Sequence, residues 1–376
     1  MTMPASTSAR PRLAYLDNLK ACLAALVVFH HAGQPYGPTG GSWPIFHAEK
    51  FRLLGPFFHT NASFFMGLFF LISAYFLPRA YDRQGPAGFL ADRFRRFGLP
   101  VLAFGLLLFP AYHHYQEGKA WADCFLPFEW AHLWFLGHLL IYALLYTACR
   151  TWRTWRGAAA GDSRKLPFPS NTSLLLYLLG LTAADLVLRH WYPIDYWARF
   201  GVTAEVAHLP QYASLFLFGL VASRQGWLEN IPVKTGRIWL GVTLVATLAR
   251  FGYTMAHADF ISHDGLGYDL AWNLWEASIC VGMCIGLPYW FSRHINGDGR
   301  FAGFAGRSAF STYVLHLPIL VLVQVAMEKT RFGPLELTVL TGCITLALCY
   351  LIYAVYELAT GRNPAKPVGQ LASRAS

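Results

Sequence analysis

Apolar runs of roughly twenty residues recur along the whole chain, separated by short polar stretches. Ten of them fall near residues 13–34, 59–78, 88–111, 130–149, 172–189, 206–223, 237–256, 269–291, 304–326 and 336–358. A bilayer core is crossed by about 20 apolar helical residues, whereas a soluble core cannot absorb so many such lengths. The pattern predicts an all-α fold: a polytopic integral membrane bundle of about ten transmembrane helices. Residues 13–358 form this transmembrane region, after a polar N-terminal segment, 1–12, and before a tail, 359–376, expected to be disordered. The polar start carries no cleavable leader pattern, so the first apolar segment is expected to remain a membrane helix.

Composition agrees with the pattern. Of 376 residues 55% are hydrophobic and only 13% charged, about half the ~25% usual for soluble domains. The net charge of +10 is not one basic patch, so nucleic acid is not an expected partner. It is sorted by side. The N-terminus, the C-terminal tail and the connections after segments two, four, six and eight hold 21 Lys and Arg, against eight on the other side. The positive-inside rule then places both termini in the cytoplasm. The seven cysteines contain no CxxC, and Cys280 and Cys284, four apart on one helix face, are expected to be apolar free thiols.

The first segment, YLDNLKACLAALVVFHHAG, carries polar residues at both ends of an apolar run. At 100° per residue, Lys20 and His31 are three turns plus about 20° apart, with a rise of about 16 Å. Asp17, three before Lys20, joins the same stripe, while His30 points about 80° away from Lys20. A lysine near a helix end can snorkel to the headgroups. Ionisable residues inside a membrane are nevertheless costly and are functional candidates by default.

Other segments add candidates. Gly67, Ser73 and Ala74 in FFMGLFFLISAYF allow close helix approach. In ADRFRRFGLPVLAFG, Arg93 and Arg96 share a face and suit phosphate groups, while Arg95 reads as an anchor. Trp134, in HLWFLGHLLIYALLY, fits either an aromatic belt or a pocket wall. In GRSAFSTYVLHLPILVL, Thr312, Tyr313 and His316 occupy neighbouring faces, and Pro318 is expected to bend the helix near His316.

These stretches together resemble the acyltransferase-3 family of polytopic membrane acyltransferases, in particular the subgroup that includes periplasmic-glucan succinyltransferases. Lys20 and His31 match the family's pairing of a basic residue with a histidine after ten intervening residues; His30 does not. The family more often has Arg at the position of Lys20 and Gly at that of Asn18. Arg93 and Arg96 resemble its paired arginines, and the His316 helix its late His-x-Pro helix. The resemblance implies a catalytic set of His31, Lys20 and Asp17, acyl-donor binding by Arg93 and Arg96, and a pocket lined by Ser73, Trp134, Tyr313 and His316. It implies acyl-CoA as a co-substrate with no bound cofactor, and a saccharide or small hydroxylated acceptor. The implied reaction is transfer of an acetyl or succinyl group from the cytoplasmic donor to an outer-side hydroxyl, in a bacterial inner membrane. His31 then serves as general base or as a transient acyl relay.

Nine histidines fall in outer loops or helix ends: His47, His59, His113, His114, His132, His190, His208, His257 and His263. His257 and His263 each lie within two residues of an aspartate, Asp259 and Asp264. No compact ligand spacing accompanies them, so the expectation is polar lining of an acceptor cavity and no metal. The same buried ionisable residues also fit a proton-coupled transporter or flippase, although no internal repeat is visible.

Overall fold

The computed structural model describes residues 13–39, 43–125, 128, 130–157, 165–194, 196–199, 203–256 and 265–361. They form an all-α polytopic membrane protein. The helices are α1 (Ala14–Gly33), α2 (Leu54–Ala62), α3 (Phe65–Arg93), α4 (Leu99–Ala103), α5 (Phe109–Glu117), α6 (Trp134–Trp155), α7 (Asn171–Arg189), α8 (Leu209–Gln225), α9 (Val233–Ala256), α10 (Leu266–His294), α11 (Arg300–Met327) and α12 (Pro334–Ala359). The strands among the described residues, β1 (Trp197–Arg199) and β2 (Thr203–Glu205), make one short antiparallel hairpin with Ala198 opposite Ala204.

Among the described residues, eight helical stretches are long and apolar enough to cross a bilayer. One of them, Leu54–Tyr115, has 62 residues and as a straight helix would extend about 93 Å, three times the ~30 Å hydrocarbon core. It contains two of the apolar segments read from the sequence. Its helical course breaks at Gly85 (φ 69°, ψ 170°), a conformation open to glycine and followed at once by Pro86. Helix α1 is 20 residues long but stands outside those eight, because Asp17, Asn18, Lys20 and the two histidines lower its apolar character.

Between α3 and α5 the helix twice loosens into π geometry, at Phe94–Gly98 and Phe104–Leu108. Each π turn ends two residues before a proline, Pro100 and Pro110. Proline has no N–H to donate and crowds the carbonyl four residues back, here Arg96 and Leu106. The turn in front of it widens in response. By contrast, α11 runs on through Pro318 without interruption.

The helices gather into two compact units. The first comprises residues 1–19 and His59–Gly299, the second Lys20–Phe58 and 300–376. In the first, α3 packs along α8, α10 along α9 and α7, and α3 against α6. The start of α1 is fastened by polar bonds: Tyr15 Oη donates to the Leu228 carbonyl at 2.6 Å, and Asn18 Nδ2 to the carbonyls of Ile295 and Gly297, both at 2.9 Å. In the second unit α11 lies against α12. Arg307 grips Glu357 across that pair at 2.8 and 3.3 Å. Tyr36, Leu54, Phe58 and Leu337 form a core patch there.

The close crossing of α3 and α8 depends on small residues. A Cβ at Gly219 would lie 2.4 Å from the Leu71 carbonyl oxygen and 2.8 Å from the Ala74 methyl. At Gly67 it would meet Leu215 and Gln211 side chains at 2.6 and 2.8 Å. Backbone cannot yield as a side-chain tip can. Gly219→Ala is therefore expected to destabilise the protein by about 1–3 kcal/mol, the range for overpacked contacts. Gly180→Ala, with nothing within 4 Å, is expected to be neutral or slightly stabilising. Thermal unfolding of the purified variants in detergent checks both.

Candidate functional site

Helix α1 presents Lys20 and His31 as half-buried side chains of the second unit. The ring of His31 lies against that of His316, with centroids 5.3 Å apart and planes 26° from parallel. It also lies against the indole of Trp43, at 5.6 Å and 17°. His316, fully buried on α11, donates from Nδ1 to the Tyr313 carbonyl at 2.7 Å. A carbonyl only accepts, so Nδ1 carries a proton. His30, as its angular position implies, turns elsewhere and packs edge-on against Phe58 at 5.1 Å.

One amide ties this arrangement together. Trp43 Nε1 donates to Gln324 Oε1 at 2.8 Å, and Gln324 Nε2 donates to the carbonyl of Ala32, the residue after His31, at 3.2 Å. Gln324 is fully buried on α11. Neither residue is among those picked out from the sequence. The signal for Gln324 was available: it is a lone amide in the apolar run ILVLVQVAM. Nothing in sequence spacing links it to a tryptophan 281 positions away.

The other sequence candidates lie in the first unit. Asp17 is half-buried near the start of α1, one turn before Lys20. Arg93 and Arg96 both approach Asp92, at 3.8 and 3.7 Å, despite the π turn that begins at Phe94. Arg93 is the more buried, and its guanidinium covers the rings of Phe89 and Phe97 at 5.0 and 5.5 Å. Arg96 is exposed. Ser73 is half-buried on α3. Trp134 is buried in an aromatic cluster with Tyr212, His138 and Trp197 at 5.4 to 5.7 Å.

The first unit also encloses an ionic network that hydrophobic patterning did not single out. Arg189 grips Glu276 with two bonds, 2.5 and 3.1 Å, and donates to Asn273 at 2.9 Å. His208 bridges two acids, Glu276 at 2.7 Å and Glu205 at 2.9 Å. All four charged side chains are at most 10% exposed. An acid within the apolar run NLWEASICVGM was its sequence signal. Arg250 bonds His59 at 3.0 Å and stacks on Trp272.

The remaining histidines are spread among different partners. His113 holds Glu117 at 2.9 Å, and Lys119 holds it at 2.6 Å. The hydrogen bond from Lys119, with that from His113, draws the Glu117 carboxyl below its ordinary range. His114 stacks on Trp121, His47 meets Tyr36, and His132 meets Phe104. His190 neighbours Trp191. His257, His263, Asp259 and Asp264 lie outside the described residues. Among the described residues no three His, Cys, Asp or Glu side chains converge as a metal site. All seven cysteines are free thiols, with Cys280 and Cys284 buried.

Comparison with known proteins gives this arrangement a context. A family model described as an acyltransferase domain matches residues 13–354. Glucans biosynthesis protein C of Escherichia coli strain SMS-3-5 is 27% identical over 365 residues, covering 91% of this chain and 88% of that protein. The proteins of the same name from strains O17:K52:H18 and K12 match with the same identity and coverage. No solved structure matches.

The ionic network makes a stability prediction. Glu276→Leu leaves Arg189 and His208 without their shared carboxylate in a buried setting. The expected cost is about 3–5 kcal/mol, the range for breaking a buried pair from one side. Replacing both partners, Arg189→Met with Glu276→Leu, is expected to cost less than Glu276→Leu alone. Denaturant or thermal unfolding of the three variants in detergent measures the difference.

Proposed function

The chain belongs to the acyltransferase-domain family and is a multi-pass membrane acyltransferase, and we propose that it O-acylates a saccharide. The donor in this reading is a cytoplasmic acyl-CoA carrying an acetyl or succinyl group. The acceptor is a glucan or related saccharide on the outer side of a bacterial inner membrane, with both termini of the chain in the cytoplasm. The name of the relatives, which places them in glucan biosynthesis, supports a saccharide acceptor. The sorting of basic residues supports the orientation.

The observation that carries the reading is the meeting of His31 and His316, two imidazoles from opposite ends of the chain, in a buried part of one unit. Acyl transfer to a hydroxyl needs a group that accepts its proton as attack begins. His31 takes that proton through an in-plane ring nitrogen. The hydroxyl oxygen then bonds to the thioester carbonyl carbon, the C–S bond breaks, and the thiolate of coenzyme A leaves and is protonated. An acyl relay would use the same nitrogen as nucleophile. Stacking against Trp43 and His316 restrains the ring plane. Lys20, about 16 Å back along the helix, and Asp17 lie on the donor's path. Arg93 and Arg96 supply guanidinium groups suited to its phosphates.

Two measurements test this. Purified wild-type protein, given acetyl-CoA or succinyl-CoA with glucan oligosaccharides, is expected to release free coenzyme A and raise the acceptor's mass. His31→Ala, folded equally well, is expected to lose about a hundredfold or more in kcat, as for removal of a general base. Equal rates would remove His31 from the reaction. Arg96→Ala is expected to raise KM for the acyl-CoA about tenfold, as for a lost charge-assisted bond. An unchanged donor KM would take Arg96 out of the donor site.

A further inference from the structure

Gln324 sits where no polar side chain would persist without a purpose, fully buried in an apolar stretch of α11. Its two bonds are chemically directional. An indole N–H can only donate, so it selects the amide oxygen, and a main-chain carbonyl can only accept, so it selects the amide nitrogen. The amide therefore has one orientation, and each of its ends is committed. One end holds Trp43, whose ring lies against His31. The other holds the carbonyl of Ala32, the next residue in the chain after His31. Leucine of similar size can make neither bond, and an ionised glutamate can make only the first.

We propose that Gln324 and Trp43 are positioning residues for His31. The amide joins the indole to the backbone beside His31, and so fixes how the indole meets the imidazole. Trp43 comes from the segment after α1 and is partly buried. Its N–H is spent inward on Gln324, so its role toward His31 is exerted by the ring face. His316 meets the same imidazole from α11, the helix that also carries Gln324. One helix thus supplies both a ring against His31 and the amide that holds the other ring in place. Sub-ångström placement of a reacting group is worth large factors in rate, so a loosened imidazole slows the reacting step more than substrate binding. The role assigned here rests on the reading of His31 as the reacting group.

The test uses full-length protein in detergent, with Trp43→Phe, Gln324→Leu and the double variant. Trp43→Phe keeps a ring beside His31 and removes the indole donor, so it stays informative if Gln324→Leu fails to fold. With acetyl-CoA or succinyl-CoA and glucan oligosaccharides, each single variant is expected to lower kcat about tenfold while donor KM stays within about twofold. The double variant is expected to be no slower than the slower single one, because Gln324→Leu already removes the hydrogen bond that Trp43→Phe removes. A second readout does not need turnover. The rate at which diethyl pyrocarbonate modifies His31, followed by peptide mass spectrometry, is expected to change at least about threefold in both single variants. Wild-type kcat and wild-type His31 reactivity in a folded variant would overturn the proposal. So would additive losses in the double variant. If wild-type protein transfers no acyl group, the functional reading fails, and the His31 modification rates still decide whether the two residues position that ring.

Discussion

A bilayer core offers no water to a polar group, and this constraint governs the whole molecule. Backbone amides are satisfied within each helix, which is why the membrane-crossing segments are helical. Side chains have no such internal remedy, and those with charge or amide groups must find partners in the protein. Arg189, Glu276, His208 and Glu205 do so as a closed ionic network. Gln324 does so with one indole and one carbonyl. Polar residues in the apolar helices are accordingly landmarks, and two of them, His31 and His316, meet face to face.

These landmarks have different jobs. The Arg189 network is buried, bidentate and internally satisfied, the properties of a structural fastening that orients α7, α8 and α10. The imidazole of His31 lies against the rings of Trp43 and His316, and these contacts restrain its plane. The arginines at the head of the irregular helix run, by contrast, share Asp92 and face a segment already loosened by Pro100.

The helical, membrane-spanning fold was legible because run length is a strong signal: α1, α3, the run from 94 to 117 and α6 to α12 each coincide with an apolar segment. The close approach at Ala74 was legible in the small residues of α3, although its partner, Gly219, was not. The angular position of His31 on α1 was readable from helical periodicity, as was the turning away of His30. What periodicity cannot supply is contact between distant segments. Trp43 and Gln324 are 281 positions apart, Gln324 and Ala32 292, and no local pattern joins them. The division of the apolar region into two units is likewise a matter of which helices pack, not of which are apolar. Trp134 shows the same limit, since spacing alone does not identify its ring neighbours Tyr212, His138 and Trp197. The π turns were written in Pro100 and Pro110, while α11 continues as one helix through Pro318.

In the proposed reaction donor and acceptor lie on opposite sides of the membrane, joined by the length of α1 between Lys20 and His31. Proteoliposomes with glucan oligosaccharides sealed inside and acyl-CoA supplied only outside test this directly, with the protein's orientation determined by protease accessibility. Acylated saccharide is expected inside those vesicles whose protein exposes its basic loops outward, and none when both substrates are confined to that basic side. Product formed only when donor and acceptor share the basic side would contradict that arrangement.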